Sequence, residues 1–165
     1  MLLAIDVHYR ETEAKIVGVL FEWQDSVPHD IIIEYINNVE EYIPGEFYKR
    51  ELPCLLKVIE KINSKTIEAI VIDGYVYVDD NLKYGLGGKL YEALDKKIPI
   101  IGVAKTPFFK NKKTVQELRR GVSKLPLYIS SIGIDVNTAT DCIKNMEGTY
   151  RIPSILKQMD ILTKK

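Results

Sequence analysis

Three strand-type runs stand back to back at the start of the chain, and no link between them is long enough to hold a crossover helix. Residues 2–7 are apolar and β-branched apart from Asp6, residues 14–23 alternate in the strand manner, and residues 31–36 form a third run. Parallel neighbours need a connection of a dozen residues or more, so short links imply an antiparallel meander. The period then changes. Leu52, Leu55, Leu56, Ile59 and Ile62 recur at helical spacing over residues 50–62, and Pro53 suits a first helical turn, where a missing N–H costs nothing. Residues 67–72 read as a fourth strand. Residues 85–96 read as a second helix with Leu86, Leu90 and Leu94 on one side, and residues 99–104 as a fifth strand. A sixth strand at an edge is expected over residues 128–132. A helix over 137–146 follows, with Asn137 or Thr138 at its N-cap. Pro153 opens a last helix whose apolar stripe is Ile155, Leu156, Met159 and Leu162. A meander followed by right-handed βαβ units gives an α/β fold. Its mixed sheet carries helices on both faces, in a single domain over residues 1–165.

Lys plus Arg equals Asp plus Glu, at 23 each, so any surface for a polyanion must be a local one. Cys54 and Cys142 are far apart in apolar contexts and read as free thiols rather than a disulfide. No apolar run approaches the roughly 18 residues of a membrane span. The first six residues lack a basic segment and end on a charge, unlike a secretory leader. The expected location is cytoplasmic, with no membrane partner, and a monomer is favoured.

Three carboxylates fall at special places in this order. Asp6 interrupts the first strand, Glu51 begins the first helix, and the run Ala69-Ile-Val-Ile72 ends on Asp73-Gly74. Each has an ordinary explanation: a polar strand residue, an acid favoured at a helix N-terminus, a turn pair. In a β-β-β-α-β sheet, however, the first and fourth strands are neighbours. Asp6 and Asp73 would then lie side by side, with Glu51 brought over them by the helix. Carboxylates so placed share protons or bind a hard divalent cation such as Mg²⁺ or Mn²⁺.

At these residues the chain resembles the endonuclease V family, over residues 1–158. Leu3-Ala-Ile-Asp-Val-His-Tyr9 is similar to the family's first strand. Tyr42-Ile-Pro-Gly-Glu-Phe-Tyr-Lys-Arg-Glu-Leu-Pro53 is similar to its wedge segment and the Arg-Glu-Leu-Pro after it. Ile72-Asp-Gly74 and Pro99-Ile-Ile-Gly-Val-Ala-Lys105 are similar to two further strand ends. Tyr128-Ile-Ser-Ser-Ile-Gly133, Asn137-Thr-Ala-Thr140 and Tyr150-Arg-Ile-Pro153 resemble later segments. The resemblance implies an RNase H-like fold and a Mg²⁺- or Mn²⁺-dependent hydrolase. It would cut a phosphodiester on the 3′ side of a deaminated base, inosine or hypoxanthine, in lesion-containing DNA or RNA. It implies metal-binding roles for Asp6, Glu51 and Asp73 and a positive group at Lys105 beside the phosphate or the attacking water. It implies a wedge at Tyr42, Ile43, Pro44 and Gly45, which would fill the gap left by an extruded base.

The chain departs from the family after the third acid. The family continues Asp-Gly-His-Gly, then His-Pro-Arg. Here the text is Asp73-Gly-Tyr-Val-Tyr-Val-Asp-Asp-Asn81, which puts Gly74, Tyr75 and Asp79 at the base pocket, with Asp79 as positional counterpart of the histidine. Two other readings stay open: a nucleic-acid binder with weakened catalysis, and a nuclease acting on another structure. Seven Lys or Arg residues from Lys105 through Lys124, both included, against one acid, Glu117, are expected to face phosphate. Phe108-Phe109 is expected to anchor that loop, and Tyr75 and Tyr77 to pack a hairpin-like extension. His8 is expected on the same side of its strand as Asp6.

Overall fold

The structure is a computed structural model that describes residues 1–37, 47–108 and 110–165. The expected wedge, Tyr42, Ile43, Pro44 and Gly45, lies outside the described residues, as does Phe109. The meander forms as expected from β1 (Leu2–Arg10), β2 (Glu13–Phe21) and β3 (Asp30–Ile36), both pairs antiparallel. β4 (Ala69–Asp73) runs parallel to β1 and β5 (Ile100–Ala104) parallel to β4. β7 (Leu127–Ile132) then pairs antiparallel with β5, and β6 (Gln116–Leu118) with β7. The order is β3-β2-β1-β4-β5-β7-β6. The strand expected at an edge is therefore interior, because three residues from the basic segment before it supply an outer strand.

Alternation within each strand divides the core into two layers. Leu3, Ile5, Ile70, Ile72 and Ile100 face α1 (Phe47–Ile59) and α2 (Leu86–Ala93). Leu2, Ala4, Val17, Val19, Val71 and Ile101 face α3 (Val136–Lys144) and α4 (Ser154–Thr163). α1 begins before residue 50, so Glu51 lies within the helix and Pro53 stands in its interior, with no N–H for the carbonyl four residues back. The side chains of Cys54, Leu55 and Val58 bury the stripe that holds the helix in place. Gly18 of β2 allows that close approach, since a Cβ there would meet Val58 Cγ1 at 2.6 Å. α3 is capped by Asp135, whose carboxylate accepts from the N–H groups of Asn137 and Thr138; these two residues, expected as caps, are instead the donors.

β1 and β2 continue five residues past the last β1–β4 pair, Ile5 with Ile72. The hairpin is thus a ledge projecting beyond the end of β4, and the corner below it opens at Asp6 and Asp73. Beyond β4 the chain turns tightly. Gly74 has φ +136° and donates its N–H to the Val103 carbonyl. Its own carbonyl is pressed against β5 at Gly102, where a Cβ would come within 2.5 Å of it and 2.7 Å of Ser130 Oγ. Ser130 Oγ in turn accepts from the Val76 N–H at 3.0 Å. The Gly102→Ala variant is therefore expected to lose about 1–3 kcal/mol of stability by overpacking against backbone, measured by chemical denaturation.

Candidate active site

Four acids and one lysine converge at the carboxyl edge of the sheet. The parallel register sets Asp6 beside Asp73, and alternation turns both toward α4, as it does Val71 and Ala4 before them. Asp6, Asp73, Lys105 and Asp160 line one small cavity together with Val71, Val103 and Leu156. At about 20 Å³ it has room for a single particle of water size. Lys105 Nζ lies 3.8 Å from Asp160 Oδ1, and Lys164 Nζ lies 3.1 Å from the same oxygen. Asp160 had no sequence signal in its own right. It sits in the amphipathic stripe of α4 one position after Met159, and only the packing of α4 over β1 and β2 brings it to the acids.

Glu51 arrives from the other face. It is buried, one turn before Leu55 on the packed side of α1. With Asp73, Gly74, Tyr75, Lys105 and Phe108 it lines an adjoining cleft of about 700 Å³. Asp73 and Lys105 are common to both chambers. Tyr75 donates from its hydroxyl to the Thr106 carbonyl, and its ring lies 6.0 Å from that of Phe108, so the two form an aromatic wall. Phe108 is thus a half-exposed part of the cleft rather than a core anchor. Lys83, Lys89 and Tyr48 also line the cleft, with Lys89 Nζ 5.1 Å from the Tyr48 ring centre.

The electrostatics record the crowding. Burial, then the Asp73 carboxylate, raises Asp6 to about 6, against the Val7 N–H that donates to it at 2.9 Å and against Lys105. Burial, then Asp6 and Asp73, raises Glu51 to about 8, with neighbouring Arg50 opposing. Asp73 is also raised, by burial and Asp160, with Lys105 opposing. Glu51 Oε2 is buried without a hydrogen-bond partner. Carboxylate oxygens, an orphaned buried acceptor and a cavity of ionic size fit a hard divalent cation. Even so, among the described residues no group of three or more His, Cys, Asp or Glu side chains is gathered closely enough, as the side chains stand, to hold a metal ion.

Two arginines fix the geometry around Lys105. Arg151 Nη2 donates to the carbonyls of Lys105 at 2.5 Å and Pro126 at 2.7 Å. Arg120, expected among the phosphate-facing residues, is instead buried, and it donates to the carbonyls of Tyr150, Met146 and Gly148. It staples the segment that leads into α4. Asp79 is likewise displaced from its expected place. Its Oδ1 accepts from the N–H groups of Asn81 and Lys83, closing the turn of an extension in which Tyr77 bridges to Tyr84, and it does not line the cleft. Gly74 and Tyr75 do line it.

The sequence model of the endonuclease V family matches residues 1–126 of the chain. Endonuclease V of Sulfolobus acidocaldarius is 27% identical, covering 99% of this chain and 81% of the relative. That of Nostoc punctiforme is 31% identical, covering 73% of this chain and 62% of the relative. Among solved structures, Ciona intestinalis endonuclease V in complex with a 24mer DNA containing an inosine followed by a ribo-adenosine superposes with a TM-score of 0.83. The identity is 15%, with coverage of 99% of this chain and 84% of that one. The catalytic domain of human endonuclease V gives a TM-score of 0.80 at 19% identity, covering 99% and 80%. These likenesses identify the fold as RNase H-like.

The raised carboxyls imply a pH signature. The folded protein holds a proton on Glu51 that the unfolded chain has released above its ordinary value of 4.5. Stability is therefore greatest below that value and falls as pH rises toward about 8. In divalent-free buffer the unfolding midpoint is expected to drop across this window, and Glu51→Gln to flatten the drop, as followed by circular dichroism.

Proposed function

Because the chain belongs to the endonuclease V family, a family of nucleases, we propose that it hydrolyses a phosphodiester next to a deaminated base, on its 3′ side, in DNA or RNA, with Mg²⁺ or Mn²⁺. The observation that carries this reading is the convergence of Asp6, Asp73 and Glu51, each raised chiefly by burial and drawn from β1, β4 and α1, beside a cleft large enough for a nucleobase. Asp6, Asp73 and Glu51 would hold the cation, with Asp160 beside them. The cation, when bound, lowers the pKa of a water and offsets charge on the phosphate. The protein's own part is to exclude bulk water from Asp6 and Asp73 beneath α4 and to hold Lys105 toward the acids through Arg151. An extruded base would enter the cleft against the Tyr75 and Phe108 rings, since every base has a face on which to stack.

A second reading, a nucleic-acid binder without turnover, is favoured by one observation. Among the described residues no ready-made cage of three acids exists. Cleavage of inosine-containing and ordinary DNA and RNA strands, with each metal, separates the two. We expect metal-dependent nicking at inosine, reduced roughly a thousandfold in Asp73→Asn, which corresponds to several kcal/mol of lost transition-state stabilisation. Salt-sensitive binding with no cleavage, and no Mn²⁺ uptake by calorimetry, would select the binder.

A further inference from the structure

The projecting half of the β1–β2 hairpin carries a basic groove that none of the roles assigned above employs. Asp6, His8 and Arg10 alternate onto one face of β1, the face under α4. Lys15 lies opposite His8 in the register, and Tyr35 opposite Lys15 on β3. His8, Arg10, Lys15 and Tyr35, with Glu13 and Lys165, line a groove of about 260 Å³. Arg10 Nη2 donates to the Lys164 carbonyl at 2.6 Å, and Lys15 Nζ reaches the Lys165 main-chain oxygen at 3.4 Å, so both cations are held at the groove wall. Lys164 Nζ meanwhile contacts Asp160, which joins the groove to the acid cavity.

We propose that this groove is a backbone subsite that binds the phosphodiesters one and two steps away from the linkage held at the acids. The inference rests on the nuclease reading and extends it to the path of the strand. The spacing supports it. Successive same-face residues of a strand are about 7 Å apart, comparable with the step between phosphates along an extended strand, so His8 with Lys15 opposite it, and then Arg10, stand one and two steps from Asp6. The charge supports it too. A chain with no net charge brings the side chains of Arg10, Lys15 and Lys165 to one groove beside Glu13. Tyr35, half exposed beside Lys15, offers a ring on which a sugar or base can rest.

The test is the double variant Arg10→Glu/Lys15→Glu, with Arg10→Gln/Lys15→Gln as a milder partner and Lys61→Glu, an exposed charge just beyond α1, as control. The probe is a fluorescent single-stranded inosine oligonucleotide, used for anisotropy titrations over a salt series and for cleavage kinetics in Mg²⁺. We expect the reversal to raise Kd and KM at least tenfold while kcat at saturation stays within about threefold. The dependence of log K on log salt should flatten by roughly 1.4, the share of two phosphates on a single strand. The glutamine pair should show a smaller change in the same direction, and the control none. Wild-type binding with unchanged KM and salt slope in both double variants overturns the subsite and leaves the nuclease reading standing. An equal loss in the control reduces the effect to general charge and also overturns it. Absence of binding by the wild type overturns the nuclease reading, and the subsite falls with it.

Discussion

The parallel pairing of β1 with β4 is the contact on which everything else at the sheet edge depends. It places Asp6 beside Asp73, and because β4 stops there while β1 runs on, it also creates the corner in which the acids sit. Two carboxylates in that corner cannot both ionise without cost, and Glu51 and Asp160 sharpen the conflict. Apolar packing on both faces holds the arrangement together: Ile5, Ile70 and Ile72 against α1 and α2, Ala4, Val17 and Val71 against α4. The acids are kept where an isolated chain would not gather them, and the cation chemistry proposed here offsets the repulsion that results.

The fold was largely legible in the sequence because its two periods are clean. The strand-type runs at residues 2–7 and 31–36, the alternation over residues 14–23 and the helical spacing of Leu52, Leu55, Leu56 and Ile59 set the order of elements and hence the sheet neighbours. The misplacements have physical causes. The interior position of the strand at 127–132 depends on β6, three residues too short to have a period of their own. Asp135, at the true cap of α3, reads equally well as a loop residue before Asn137. The start of α1 lies upstream of Pro53, where propensity favours a first turn and tertiary packing of Leu55 and Val58 prevails.

The candidate site was legible to a lesser degree. Asp6 and Asp73 follow from strand order alone. Glu51 required the correct face of a helix, which its spacing from Leu55 supplies. Asp160 could not be found from spacing, since it belongs to a helix whose direction across the sheet is set by Arg120 and Arg151 gripping distant carbonyls. Asp79 stands at a motif position occupied by an acid, and its Oδ1 accepts from the N–H groups of Asn81 and Lys83.

The close approach of Gly74 to Gly102 has a consequence for how the cleft can diverge. The Gly74 N–H and the Val76 N–H are committed to β5 and β7, and the Gly74 carbonyl is packed against Gly102, so the main chain of this wall is tied to the sheet. Under the function proposed above, discrimination on this side would pass to the replaceable side chains of Tyr75 and Phe108. A lineage, or an engineer, can therefore recut the preference of the cleft by exchanging two rings while the scaffold beneath stays fixed.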